Sequence, residues 1–216
     1  MNNDQNQEYQ AYLFDMDGTL VNSEPLKGRA LALACEHYQG KLDYHVYQDV
    51  MGEDWQRVTT HFFKAAQIHP DLNEFNQHFK LHYQRLLKNE LTLTKNAAPY
   101  LKHLKLKGYQ LGVVSSAANW MLDQILEQLA LKDVFDICIS QEDVSQHKPH
   151  PEAYLLALEK LGLSSDKVMV FEDSYAGVSA AAKAGCDVIA IRHQFNANNN
   201  LSGARLMISD FNDIMH

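Results

Sequence analysis

Seven side chains in this sequence are of types that can do chemistry together. Asp15 and Asp17 end an apolar run in YLFDMDGTL, and Ser115 and Ser116 close LGVVSS. Lys148 stands in QHKPHPEAY, and Glu172 and Asp173 close VMVFED. Clustered carboxylates repel one another unless a cation neutralises them, and hard oxygen donors with open coordination positions suit Mg2+. Held by Asp15 and Asp173, such an ion keeps water and takes a phosphate oxygen. A carboxylate not consumed by the metal can act as a nucleophile and form an aspartyl-phosphate. Ser115 and Ser116, just ahead of a helix, offer hydroxyls and backbone amides to an anion. Lys148 adds a point charge against a phosphoryl group as negative charge develops. Gly18 lets the chain turn sharply after Asp17.

Taken singly, each has a plainer reading. Asp17–Gly18 is a common turn pair, the serines and the Glu172–Asp173 pair are ordinary helix caps, and a lone lysine is usually solvated. The chemical reading requires one fold to gather them. Each group follows a short apolar run that reads as a buried strand, the first at Tyr9–Asp15. From about Asn96 onward, helices and strands alternate: AAPYLKHLKLKG, YQLGVVSS, NWMLDQILEQLAL, FDICIS, PEAYLLALEKLGL, KVMVFED, YAGVSAAAKAG and CDVIAIR. A short strand ARLMIS and a closing turn DFNDIM follow. This alternation predicts an α/β fold with a doubly wound, Rossmann-like parallel sheet. Ligands of such sheets bind beyond the carboxyl ends of the strands, where all seven side chains fall.

Between residues 23 and 93 the pattern is helical throughout. SEPLKGRALALACEHY opens on Ser23 as an N-cap with an early acid and a proline; DWQRVTTHFFKAAQI and DLNEFNQHFKLHYQRLLKNEL follow. A long helical stretch after a single strand predicts an insertion. The expected division is an α/β core formed by 1–21 and 94–216, with an α-helical cap at 22–93 hinged near Asn22 and Thr94. NANNN at 196–200 reads as a surface loop.

Composition narrows the function. Nineteen basic against 27 acidic residues give a net charge of −8, which argues against a nucleic-acid partner. No apolar run approaches the length of a membrane span, and the polar start MNNDQNQEYQ carries no targeting signal. Cys35, Cys138 and Cys186 are odd in number and lack CxxC spacing, so they read as reduced thiols in a cytoplasmic protein. The histidines show no HxH or HExxH spacing; His61, His78 and His82 fall on helix faces, and no zinc site is expected. Trp55 and Trp120 read as packing residues, with Trp55 near the cleft.

DMDGTLVNSEP, VVSSAAN, HKPHPEAY and VFEDSYAGVSAAAKAG, in that order and spacing, resemble the haloacid dehalogenase superfamily. More narrowly, they are similar to its β-phosphoglucomutase-like phosphatase branch with a helical cap. The likeness runs from about Tyr12 to Asp213. It implies that Asp15 is the nucleophile and Asp17 the general acid/base, with the Asp17 backbone carbonyl on Mg2+. It implies a phosphate site formed by Ser115, the Ser116 amide and Lys148. Asp173 becomes a metal ligand, and Glu172 a direct ligand or the holder of a metal-bound water.

The leading expectation is a Mg2+-dependent phosphatase acting on a small phosphorylated metabolite such as a sugar phosphate, as a monomer or weak homo-oligomer. A β-phosphoglucomutase-like isomerase and a non-catalytic phosphate or protein binder are the alternatives. Mutases of this branch place an arginine three residues after the cap glycine. Here Gly52 is followed by Glu53, Asp54 and Trp55, with Arg57 two positions late. Two acids there repel a second phosphate. Dehalogenases lack the second aspartate. Phosphonate cleavage needs a cap lysine for a Schiff base; none stands out, with Lys27 and Lys64 the residues left to weigh.

Overall fold

The run before Asp15 becomes the centre of the protein. In the computed structural model, which describes residues 9–215, strand β1 (Ala11–Phe14) pairs in parallel with β2 (Gln110–Val114) on one side and β4 (Val168–Glu172) on the other. The first eight residues of the polar N-terminal stretch lie outside the described residues. Strand β3 (Ile137–Ile139) extends the sheet beyond β2, and β5 (Asp187–Ile191) and β6 (Leu206–Ile208) extend it beyond β4. The order is β3-β2-β1-β4-β5-β6, all parallel. The chain leaves β1 first toward β2 and later toward β4, so the reversal of strand order falls at the end of β1, where the ligand crevice of an open sheet is expected.

Period-two alternation sends neighbouring residues to opposite faces. Phe14, Val113 and Phe171 face helices α4 (Ala97–Leu106) and α5 (Asn119–Gln128), while Leu13, Val114 and Val170 face α6 (Glu152–Leu161) and α7 (Tyr175–Lys183). The first face carries an aromatic layer: Phe14 stacks on Phe171 at 4.8 Å, and Tyr100 stacks on Phe211 at 5.2 Å. Phe211 belongs to the closing DFNDIM segment, a 3-10 turn at Phe211–Ile214. Asp210 anchors it by accepting from Lys95, Asn96 and the Asn212 amide, and those bonds hold its carboxyl down to about 2.

The insertion is helical as expected: α1 (Glu24–Glu36), α2 (Trp55–Ala66) and α3 (Leu72–Glu90), with an unforeseen 3-10 turn at Tyr44–Asp49. Asp54 and Asp71 cap α2 and α3 by accepting from the Arg57 and Glu74 amides. The apolar cluster of the first sheet face continues through Leu20, Val21 and Leu26 into Phe62, Phe79, Tyr83 and Leu87, so helices and sheet share one core. The two chain crossings lie side by side. Val21 bridges Leu93, the Asn22 amide donates to Thr92 and the Thr94 amide donates to Leu20, both at 2.9 Å.

His78 and His82 lie on α3 against His37, whose ring stacks on that of His78 at 3.8 Å; His61 is elsewhere, 3.6 Å from Asp49. All three cysteines are free thiols. Among the described residues no helix is long and apolar enough to cross a membrane. The central aromatic layer carries much of the stability: Phe171→Ala is expected to cost about 3–5 kcal/mol, read as a lower urea midpoint with an unchanged slope.

Candidate active site

Asp15 follows β1 directly, and its amide donates to the carbonyl of Phe171 at 2.9 Å. Its Oδ1 accepts from Lys148 Nζ at 2.7 Å. The same ammonium donates to Glu172 Oε1 at 2.7 Å and to the Val114 carbonyl at 2.8 Å. One lysine, with a side chain only 4% exposed, therefore ties together the ends of β1, β2 and β4. Glu172 is wholly enclosed; it also accepts from Tyr154 Oη at 2.6 Å and from the Asp173 amide at 3.1 Å. Helix α7 comes this close only because residue 177 is glycine: a Cβ there would lie 1.9 Å from the Glu172 carboxylate.

Glu152 fixes the loop that presents Lys148, accepting from the Ser145 amide and hydroxyl and from the Gln146 amide. The Lys148–Pro149 peptide is cis. Pro151 stands at the N-cap of α6.

Asp173 is held from a third direction. Its Oδ2 lies 2.8 Å from His193 Nε2, and its carbonyl accepts from Asn196 Nδ2 at 2.8 Å. Gly18 is constrained twice here. Its φ of +76° is in the left-handed region, and a Cβ would sit 2.1 Å from Asp173 Oδ2.

One oxygen each of Asp15, Glu172 and Asp173 can be drawn from a group lying within 4.8 Å of one another. Burial pushes the Asp15 pKa well above the carboxylate range; Lys148 works against this, while Glu172 and Asp173 add to it. Burial does the same to Asp173, reinforced by the charges of Glu24, Glu172 and Asp17. A single lysine leaves this set short of positive charge. An all-oxygen, buried donor set with that deficit fits a hard divalent cation such as Mg2+.

Asp17 points differently. Its Oδ1 accepts from Ser23 Oγ at 2.5 Å and Tyr83 Oη at 3.3 Å, and Lys27 Nζ is 3.4 Å away. All three partners belong to the helical insertion. Ser23, expected to cap α1, makes no capping bond and donates to Asp17 instead.

Ser115 is buried, and its Oγ accepts from the Ala117 amide at 3.0 Å; Ser116 is exposed. Helix α5 starts at Asn119 with Ala118 as its cap, so the serines lie in the loop ahead of the helix rather than in its first turn. All seven side chains except Glu172 line one cleft of about 420 Å3. Glu172 sits directly behind Lys148 and Asp173.

Opposite them are Trp55, whose Nε1 donates to Asn76 at 2.9 Å, and Lys80, whose Nζ lies 4.7 Å from the centre of the Trp120 ring. Trp120 therefore lines the cleft as well. Tyr44 and His45 of the insertion stack on Phe195 in the segment after β5.

The positioning residues His193, Asn196, Ser23, Lys27, Tyr83 and Glu152 were not singled out for these contacts from sequence. Asn196 opens the polar NANNN run read as surface, yet it is fully buried. Nothing in that run distinguishes it. Tyr83 continues an apolar helix face, and only its hydroxyl reaches Asp17.

An α/β sheet with acids, a lysine and hydroxyls gathered at its switch point defines a phosphoryl-transfer type of site. The chain belongs to the haloacid dehalogenase-like hydrolases, whose family model matches residues 12–191. It is 30% identical over 188 residues to the phosphorylated carbohydrates phosphatase of Thermotoga maritima, covering 87% of each chain. Its fold superimposes on a predicted phosphoglycolate phosphatase from Haemophilus somnus with a TM-score of 0.87, at 25% identity and 97% coverage of both chains. The β-phosphoglucomutase of Clostridium difficile shares the fold, with a TM-score of 0.77 at 19% identity, over 95% of this chain and 93% of that one.

Because Asp173 is an unfavourable buried charge without metal, Asp173→Asn keeps the contact with His193 and removes the repulsion. The metal-free variant is expected to melt higher than the wild type, by roughly 2–4 °C for each kcal/mol gained. The raised folded pKa means the native state holds a proton that the unfolded chain has lost. Wild-type stability from this group is thus present below about pH 4 and lost as pH rises. The variant's advantage should therefore widen from about pH 4 upward in thermal melts with chelator.

Proposed function

We propose that this chain is a Mg2+-dependent phosphatase that hydrolyses a small phosphorylated metabolite, a sugar phosphate, through an aspartyl-phosphate on Asp15. The observation that carries this reading is the Asp15 carboxylate, held by Lys148 at the floor of the cleft beside Glu172 and Asp173. The family and the phosphatase relatives support it. Asp15, Asp173 and the main-chain carbonyl of Asp17 would hold the ion, with Glu172 beside them. When bound, Mg2+ offsets the carboxylate charge and draws electron density from the phosphoryl oxygens.

Ser115, the Ser116 amide and Lys148 cradle the phosphoryl group. An Asp15 oxygen attacks phosphorus, and the ester P–O bond breaks. Asp17 gives its proton to the departing alkoxide. Water then attacks the phosphoaspartate and passes its proton to Asp17. The bond to Asp15 breaks and inorganic phosphate leaves.

Residues 22–93 act as a cap that excludes water during the first transfer and admits it for the second. The paired crossings at 20–22 and 92–94 are the hinge. We place the enzyme in the cytoplasm, as a monomer or weak homo-oligomer, consistent with its free thiols.

Two alternatives lose ground on specific contacts. A mutase must grip a second phosphate. Arg57 is 66% exposed on its side chain, lies 3.5 Å from Glu53 and lines a separate outer groove. A Schiff-base route needs a neutral lysine. Burial disfavours the charge on Lys27, but Asp17 and Glu24 outweigh it and hold its pKa well above the usual value.

Phosphate release from sugar phosphates is expected with Mg2+ and not with chelator. Asp15→Asn should lower turnover by at least about 10^4-fold, and Asp17→Asn by about 10^2- to 10^4-fold, both with the native fold by circular dichroism. Near-wild-type turnover in Asp15→Asn would sink the nucleophile assignment.

A further inference from the structure

Three imidazoles meet where the end of α1 lies against α3, and the chemistry above uses none of them. His37 is the C-cap residue of α1, and His78 and His82 stand one turn apart on α3. His37 Nε2 lies 3.0 Å from His82 Nε2. The His37 ring also lies flat on that of His78, with centroids 3.8 Å apart and 20° between the planes. None of the three lines the active-site cleft. The group falls outside the HxH and HExxH spacings because packing of α1 on α3, and not local sequence, assembles it.

A hydrogen bond between two Nε2 atoms needs one ring protonated there and the other bare. Two ring nitrogens from different helices therefore face one point. Ligands about 2.0–2.1 Å from a tetrahedral ion stand about 3.3–3.4 Å apart, so opening the pair by about 0.3–0.4 Å admits an ion. The donating ring then carries its proton on Nδ1 instead. Imidazole suits Zn2+, Ni2+ and Cu2+, whereas Mg2+ takes oxygen ligands.

The surroundings favour the metal-binding form. His37 is exposed and His82 half-buried, so water can complete the coordination. Burial, together with His37, Arg85 and His78, holds the His82 pKa below its usual value against the pull of Glu36. A metal ligand must be a neutral imidazole. Glu36 and Glu74 offset Arg85, and Glu74 Oε1 is 3.9 Å from His78 Nε2.

We propose that His37 and His82 form a binding site for a divalent late transition metal such as Zn2+, with water as the remaining ligands. His78 is a positioning residue that fixes the His37 ring by stacking. The ion joins α1 to α3 within the insertion and is separate from the cation of the carboxylate cluster. The site does not depend on the phosphatase reading.

The test titrates the full chain with Zn2+ in excess Mg2+, by calorimetry and by NMR of the imidazole nitrogens. A single binding event is expected to shift the His37 and His82 ring signals together. His37→Ala and His82→Ala should each weaken it by roughly tenfold or more, since even an outer-shell partner is worth that much. His78→Phe, which keeps a ring on His37, should weaken it less. At about 100 times Kd, Zn2+ should raise the wild-type melting temperature by about 5–10 °C, and His82→Ala should lose that gain.

His37 and His82 ring signals that stay unmoved under Zn2+ in the wild type would overturn the proposal, with no variant needed. Equal affinity in the wild type and both alanine variants would do the same. Zinc lost in Asp173→Asn but kept in His82→Ala belongs to the carboxylate cluster, which also sinks the site. A loss in His78→Phe as large as that in His82→Ala would refute the assignment of the two ligands.

Discussion

The structure depends on one buried ammonium set among carboxylates. Lys148 donates at once to Asp15, Glu172 and the Val114 carbonyl, and so joins three adjacent strand ends that are far apart in sequence. In a water-poor interior a charge pair of this kind is strong only while both partners stay in place. Removing one leaves an uncompensated ion. The neighbouring features protect that arrangement. Gly177 lets α7 approach Glu172, Tyr154 takes up the remaining demand of Oε1, and Glu152 stiffens the loop that carries the lysine.

The balance is deliberately incomplete in charge. Asp173 adds a carboxylate that no lysine contacts; His193 meets its Oδ2, and Asn196 holds its main-chain carbonyl. Proton affinity at Asp15 and Asp173 is raised accordingly. Such a site is less stable than the same fold with neutral residues, as is common where binding chemistry and folding make opposite demands. A hard cation relieves the repulsion, which links ion binding to the local geometry of β1 and β4.

Asp17 is governed by a different part of the molecule. Its backbone belongs to the turn after β1, but Ser23, Lys27 and Tyr83 reach its carboxylate from the helical insertion. Displacement of those helices removes its partners while leaving Asp15 and Lys148 untouched. The two aspartates, two residues apart, are therefore held from different elements, Asp15 from the strand ends and Asp17 from the helical insertion. This division of control suits the acid/base role proposed for Asp17.

Much of this was legible in the chain. Short apolar runs alternating with helices specified a parallel sheet, because strands buried on both faces need continuous apolar sequence and crossovers need helices. The acids, serines and lysine could be assigned to one crevice, since parallel strands deliver their carboxyl ends to one edge. Local pattern also located α1 to α3. What it could not show was which polar groups meet across the fold. Ser23 looked like a cap and bonds Asp17; Asn196 looked like loop and is buried under Asp173. Residue type and spacing report on local backbone preference and burial. Hydrogen-bond partners separated by 23 to 66 positions are decided only when helices and sheet pack.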